Sequence, residues 1–115
     1  VVDESPFIRK LIGDIFRRSN YEVCGEAETV SKAAELCAEL KPNLVTVGMV
    51  MTDMNGLDAI KAIRKVDEDA RIIVVSSLGR ETLINESLRL GAREFVVKPF
   101  RPSRILEAAK RAMSV

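Results

Sequence analysis

Histidine and tryptophan are absent, and cysteine occurs only twice in 115 residues. Without histidine there is no Cys–His or Ser–His nucleophile pair, and most transition-metal sites are excluded. No histidine of this chain can donate a phosphoryl group either. The spacing of Cys24 and Cys37 fits neither a redox CxxC nor a zinc pattern, so both read as buried free thiols. An excess of one charge sign is also missing: Lys plus Arg number 18 and Asp plus Glu 17, for a net +1. That balance gives no bulk attraction to a phosphate backbone, so nucleic acid is not an expected partner. No run approaches the roughly 18–20 apolar residues of a membrane helix. No secretory signal stands at the start, so a cytoplasmic protein without membrane attachment is expected.

What is present is ordinary for a globular chain: 47% apolar and 30% charged residues. The length suits one domain, spanning residues 1–115. Apolar runs of strand length alternate with amphipathic stretches of helix length. Val1 and Val2 form a short apolar start, too short for a buried strand, so the first strand reads as truncated. Ser5 and Pro6 then suit a helix start, as cap and first helical residue. Phe7, Ile8, Leu11, Ile12, Ile15 and Phe16 recur on one helical face.

Residues 21–27 read as a second strand, and Thr29 or Ser31 opens a second helix that Lys41-Pro42 stops. A third strand is expected at 44–47 and a third helix at 57–66. A fourth strand at 71–76 is continuously apolar, as suits a strand covered on both faces. A helix from about 81 to 90 ends at Gly91, a strand follows at 94–97, and Pro102-Ser103 precede a last helix. Five strand–helix repeats argue an α/β fold with a parallel sheet.

In such a sheet, ligands bind beyond the carboxyl ends of the strands. Asp3 and Glu4 follow the first strand, Gly48 the third, Ser76 and Ser77 the fourth, and Lys98 the fifth. Each residue alone has an ordinary explanation, such as acidic groups favouring a helix N-terminus. Together they are more specific. Clustered carboxylates are hard oxygen ligands suited to Mg²⁺, and a lysine with a hydroxyl suits a phosphoryl group.

The chain resembles the response-regulator receiver domains of two-component signalling, most closely the chemotaxis-type, single-domain regulators. The matching residues are Val2-Asp3-Glu4-Ser5, Lys41-Pro42-Asn43-Leu44-Val45, Met54-Asn55-Gly56, Ser76-Ser77-Leu78-Gly79, Gly91-Ala92 and Phe95-Val96-Val97-Lys98-Pro99-Phe100. The resemblance covers nearly the whole chain. It implies a flavodoxin-like (βα)5 three-layer sandwich with a five-stranded parallel sheet of order 2-1-3-4-5. It implies that Asp3, Glu4 and the backbone carbonyl of Val50 bind Mg²⁺. Ser76 would turn toward a phosphoryl group, Lys98 would contact it, and Lys98–Pro99 would be cis. Phe95 would be the switch aromatic.

The departure lies at the centre. The family's phosphoacceptor aspartate is replaced by Gly48, and the proline four residues later by Thr52. Glycine can neither attack phosphorus nor ligate a metal, so Mg²⁺ binding is expected to weaken. Three readings follow: a natural pseudo-receiver that works without phosphorylation, a variant or engineered form of an active phosphoacceptor, or phosphorylation at Asp3, Glu4 or Asp53. The first is a non-enzymatic protein-interaction module. With the acceptor missing, Lys98 is expected to pair with Asp3 or Glu4. The resemblance puts the partner surface on the fourth helix, fifth strand and fifth helix. Its candidates are Leu83, Ile84, Ser87, Leu88, Phe95, Arg101 and Ile105, although a helix packed on a sheet needs apolar residues for its core as well. The partners implied are a histidine kinase, a chemotaxis-type protein or an output domain.

Overall fold

The computed structural model describes residues 1–49 and 55–114. Five helices surround a parallel sheet. Helix α1 is Pro6–Arg18, α2 is Val30–Leu40, α3 is Gly56–Val66, α4 is Glu81–Arg89 and α5 is Pro102–Met113. The strands are β1 at Val45–Val47, β2 at Ile72–Ser76 and β3 at Glu94–Val97, in spatial order β1-β2-β3.

Local chemistry sets the helix starts. The Ser5 hydroxyl accepts from the Ile8 N–H at 3.3 Å, with Pro6 behind it opening α1. Thr29, rather than Ser31, caps α2, its Oγ1 accepting from the Lys32 N–H at 3.2 Å. Asn55 caps α3 through the Asp58 N–H at 3.0 Å. Gly91 follows α4 with a φ of +114°, a conformation that side-chain-bearing residues rarely adopt.

The apolar run of β2 explains the layers. Ile72 and Val74 point into a cluster with Val45, Val47, Ile60 and Ile63, against which Leu83 and Ile84 of α4 also pack. Ile73 and Val75 point the other way, into a cluster with Ile12, Ile15, Phe16, Ile105 and Ala109. Alternate side chains of one strand thus serve two cores, one under α2, α3 and α4, the other under α1 and α5. All four are at most 1% exposed. Each such burial contributes about 1.5–3 kcal/mol.

The expected five-stranded sheet is corrected: among the described residues the sheet has three strands. The first two expected strands survive only as isolated parallel bridges, Val2 to Ala27 and Val2 to Val47. The order of pairing is still Ala27, Val2, β1, β2, β3. Residues 21–26 form no strand, although their composition suits one. A strand needs a neighbour along its length, and the bridge at this edge is the single Val2–Ala27 pair. Four backbone bonds still hold Val2 and Asp3 in the sheet: Val2 N–H to Thr46 O, Asp3 N–H to Ala27 O, Ala27 N–H to Val1 O, and Gly48 N–H to Val2 O, at 2.8–3.0 Å.

The cysteines are free, as expected, but only Cys37 is buried; Cys24 is exposed. Among the described residues, no helix is long and apolar enough to cross a membrane.

Candidate functional site

The carboxyl edge of the sheet holds a cavity of about 400 Å³ lined by Asp3, Glu4, Ser5, Met49, Ser76, Ser77 and Lys98. Every expected strand-end residue that carries a functional side chain therefore meets here. A second cavity of about 360 Å³ lies at the other end of the sheet, lined by residues such as Tyr21, Leu36, Cys37 and Leu40. Its lining is mostly apolar, with Glu22, Glu26 and Lys41 among it.

Asp3 is the most engaged member of the site. It is 6% exposed. Its Oδ1 accepts from the Ser5 N–H at 2.9 Å, and its Oδ2 accepts from Lys98 Nζ at 3.1 Å. Lys98 reaches it from the end of β3, and the Lys98 N–H donates to Ser76 O at 2.8 Å. Lys98–Pro99 is cis. The expected pairing of Lys98 with one of the two acids is thus made by Asp3. Glu4 is exposed.

Gly48 is buried directly below this pair. A β-carbon built on it would lie 2.7 Å from Asp3 Oδ2 and 3.2 Å from Asp3 Cγ. The Asp3 carboxylate occupies the space a side chain at 48 would need. The backbone itself makes no demand for glycine there, since its φ lies outside the left-handed region.

Ser76 is 3% exposed, and its Oγ accepts from the Leu78 N–H at 3.0 Å. Phe95 is 9% exposed and packs inward in the cluster that contains Ile72 and Val74. Val50, whose carbonyl was assigned to the metal, lies outside the described residues, as do Thr52 and Asp53.

The expected partner surface divides. Leu88 is 43% exposed and Arg101 is exposed, while Leu83 and Ile84 are half-buried against the core. Ser87 and Ile105 are corrected: both are 0% exposed and present nothing to a partner. Ser87 turns inward because its Oγ donates to the Leu83 carbonyl at 2.8 Å, one turn back along α4. Ile105 belongs to the core beneath α5. Val97, at 45% exposed, is an apolar surface residue that the sequence reading left out.

Two further residues shape the site without having been singled out for it. Gly56 donates its N–H to Met49 O at 2.7 Å, and a β-carbon there would stand 2.5 Å from Gly48 O and 2.8 Å from Met49 Cα. Only glycine lets α3 start this close to the end of β1. In the sequence Gly56 stands out only as part of the family-matching Met54-Asn55-Gly56, which does not show this approach. Arg9 donates to the carbonyls of Asp3 at 2.8 Å and Glu4 at 3.2 Å, and it pairs with Glu26 at 3.3 Å. Nothing in its local sequence marks that role.

The donor set has the chemistry of a magnesium site, with two hard carboxylates side by side. The geometry is less open to a metal on the Oδ2 side, where the Lys98 ammonium lies 3.1 Å away. Among the described residues, no three carboxylate, histidine or cysteine side chains converge to hold an ion.

The family described as response regulator receiver domain matches residues 1–110. The chain is 45% identical over 111 residues to the chemotaxis protein CheY of Thermotoga maritima, covering 96% of this chain and 92% of that one. It is 38% identical over 114 residues to the chemotaxis protein CheY of Bacillus subtilis, covering 99% and 95%. Among solved structures it is similar to the response regulator domain of Thermotoga maritima CheB, with a TM-score of 0.91 at 35% identity, covering 99% of this chain and 93% of that one. It is also similar to a chain of the CheX-CheY-BeF3-Mg+2 complex from Borrelia burgdorferi, with a TM-score of 0.94 at 29% identity, covering 99% and 87%. With its flavodoxin-like parallel sheet and its acid–lysine edge, the chain belongs to the response regulator receiver domain family, in its CheY-like chemotaxis type.

Proposed function

We propose that this receiver domain lacks the phosphoacceptor aspartate and acts as a phosphorylation-independent protein-interaction module in two-component signalling. Gly48 carries the reading. It ends β1 beneath Asp3 and Lys98, and it has no side chain. Phosphoryl transfer to a receiver needs a carboxylate oxygen to attack phosphorus, and glycine supplies none. The domain is then not an enzyme.

A second reading is a variant of an active phosphoacceptor that takes its phosphoryl group from a histidine kinase with Mg²⁺. The retained Asp3, Glu4, Ser76 and Lys98, all lining one cavity, favour it. In either reading Mg²⁺, when bound, would neutralise the acidic pair and any phosphoryl oxygens beside it. Asp3 and Glu4 would hold it, more weakly than a site with a third carboxylate.

The partner is a protein, and the domain is cytoplasmic, with no part in nucleic-acid binding. A relative is named in complex with CheX, which supports a protein partner here. Leu88, Val97 and Arg101, on and beside α4, β3 and α5, offer the exposed candidates for that contact.

The test is intact mass after incubation with a small-molecule phosphodonor and Mg²⁺, run beside Gly48→Asp. The parent should stay unmodified while the variant gains one phosphoryl group. A parent that gains the group has another acceptor, and the reading fails.

A further inference from the structure

We propose that Lys98 and Mg²⁺ compete for Asp3, so that in this chain the lysine closes the metal site. The inference rests on the reading that position 48 offers no carboxylate. It assigns the weakness of the site to a different cause from the missing ligand.

Lys98 needs a partner. Its side chain is 24% exposed, and a part-buried ammonium left unpaired is costly. Gly48 offers it nothing. Asp3 fills the gap: its Oδ2 sits 3.1 Å from Lys98 Nζ and 2.7 Å from where a β-carbon at 48 would stand. Its other oxygen is held by the Ser5 N–H at 2.9 Å. Each oxygen keeps a lone pair for an ion, but Oδ2 holds its own beside the Lys98 ammonium. To bind through Asp3, Mg²⁺ must displace the ammonium or sit against it, and the two are of like charge.

Three accounts of the site then give three different results. If the site is weak only because a ligand is missing, removing Lys98 leaves the affinity unchanged. If Lys98 holds Asp3 in a pose that favours the metal, removing it lowers the affinity. If the lysine is a competitor, removing it raises the affinity. A charge a few ångströms away shifts a protonation equilibrium by about one to three powers of ten, so Lys98→Met is expected to bind Mg²⁺ about tenfold more tightly.

The experiment is a MgCl2 titration of the parent and Lys98→Met, followed by calorimetry and by the amide resonances of Asp3 and Gly48. Circular dichroism melting checks that the variant folds, and Lys98→Gln replaces it if it does not. In the unaltered protein, saturating MgCl2 should also move the Lys98 side-chain resonances toward those of a solvent-exposed lysine. Equal or weaker binding after the substitution, or Lys98 resonances that do not move as the ion binds, overturns the proposal. The readout involves no phosphoryl group. A failure here leaves the mass experiment untouched, and the reverse also holds.

Discussion

The Oδ2 atom of Asp3 lies 2.7 Å from the point where a β-carbon on Gly48 would stand. Real atoms do not approach so closely, so any side chain at 48 must push the Asp3 carboxylate aside. Asp3 is short, and moving it means stretching its 3.1 Å bond to Lys98.

Gly48→Asp therefore has a cost that depends on metal. Without Mg²⁺ the new carboxylate crowds Asp3 and Glu4, and stability is expected to fall by about 1 kcal/mol, or about 4 °C in melting temperature. With saturating Mg²⁺ the three acids gain a counter-ion, and the variant should melt at or above the parent. Melting curves of both proteins with and without MgCl2 decide it. The same shift in both conditions contradicts the expectation.

Gly56→Ala should be more damaging than its exposed neighbours suggest. Alanine favours a helix, yet its β-carbon would meet backbone atoms of Gly48 and Met49, which cannot rotate away. A loss of about 1–3 kcal/mol is expected, read as a lower urea midpoint with an unchanged slope. A neutral or stabilised variant would mean that α3 can retreat from β1 freely.

Leu88 and Ile105 separate surface from core. Ile105→Ala should cost about 2–5 kcal/mol, since the side chain is 0% exposed. Leu88→Ala should cost well under 1 kcal/mol and instead weaken binding of the protein partner. A stability measurement and a pull-down with the partner, run on both variants, check the division.

Cys37 sets a pH dependence. Burial pushes its thiol above the ordinary value of 9.0. Above that value the unfolded chain gives up the thiol proton while the folded chain keeps it. The folded state then binds more protons, and stability falls as pH rises from about 9. Below the ordinary value both states are protonated and nothing changes. Cys37→Ala should flatten the decline, measured as urea midpoints across alkaline pH. A decline of equal slope in the variant would place its origin elsewhere.

Much of the fold was legible because its causes are local. Ser5-Pro6 and Thr29 start helices with their own side chains, and Gly91 ends a turn with its own φ. The run from Ile72 to Val75 announces burial on both faces by having no polar break. Residues 21–26 misled because a strand depends on its neighbour, and sequence composition does not show whether one runs alongside. Ser87 and Ile105 misled for a similar reason. Position on an output helix does not say which way a side chain points, whereas the i−4 carbonyl and the core beneath α5 do. The pairing of Asp3 with Lys98 was legible only through the rule that strand ends converge, since 95 residues separate them. The closeness of Asp3 to Gly48 was not legible at all, because it depends on where a missing side chain leaves room.

Arg9 gives the site a control that lies outside it. Its guanidinium holds the carbonyls of Asp3 and Glu4 and reaches Glu26, next to the Ala27 bridge. It does not line the cavity. One helix, one sheet edge and the acidic pair therefore share a single brace. Mutational drift at Arg9 or Glu26 could retune the angle of Asp3 while leaving every cavity-lining residue as it is. Relatives with identical cavities need not then have identical sites.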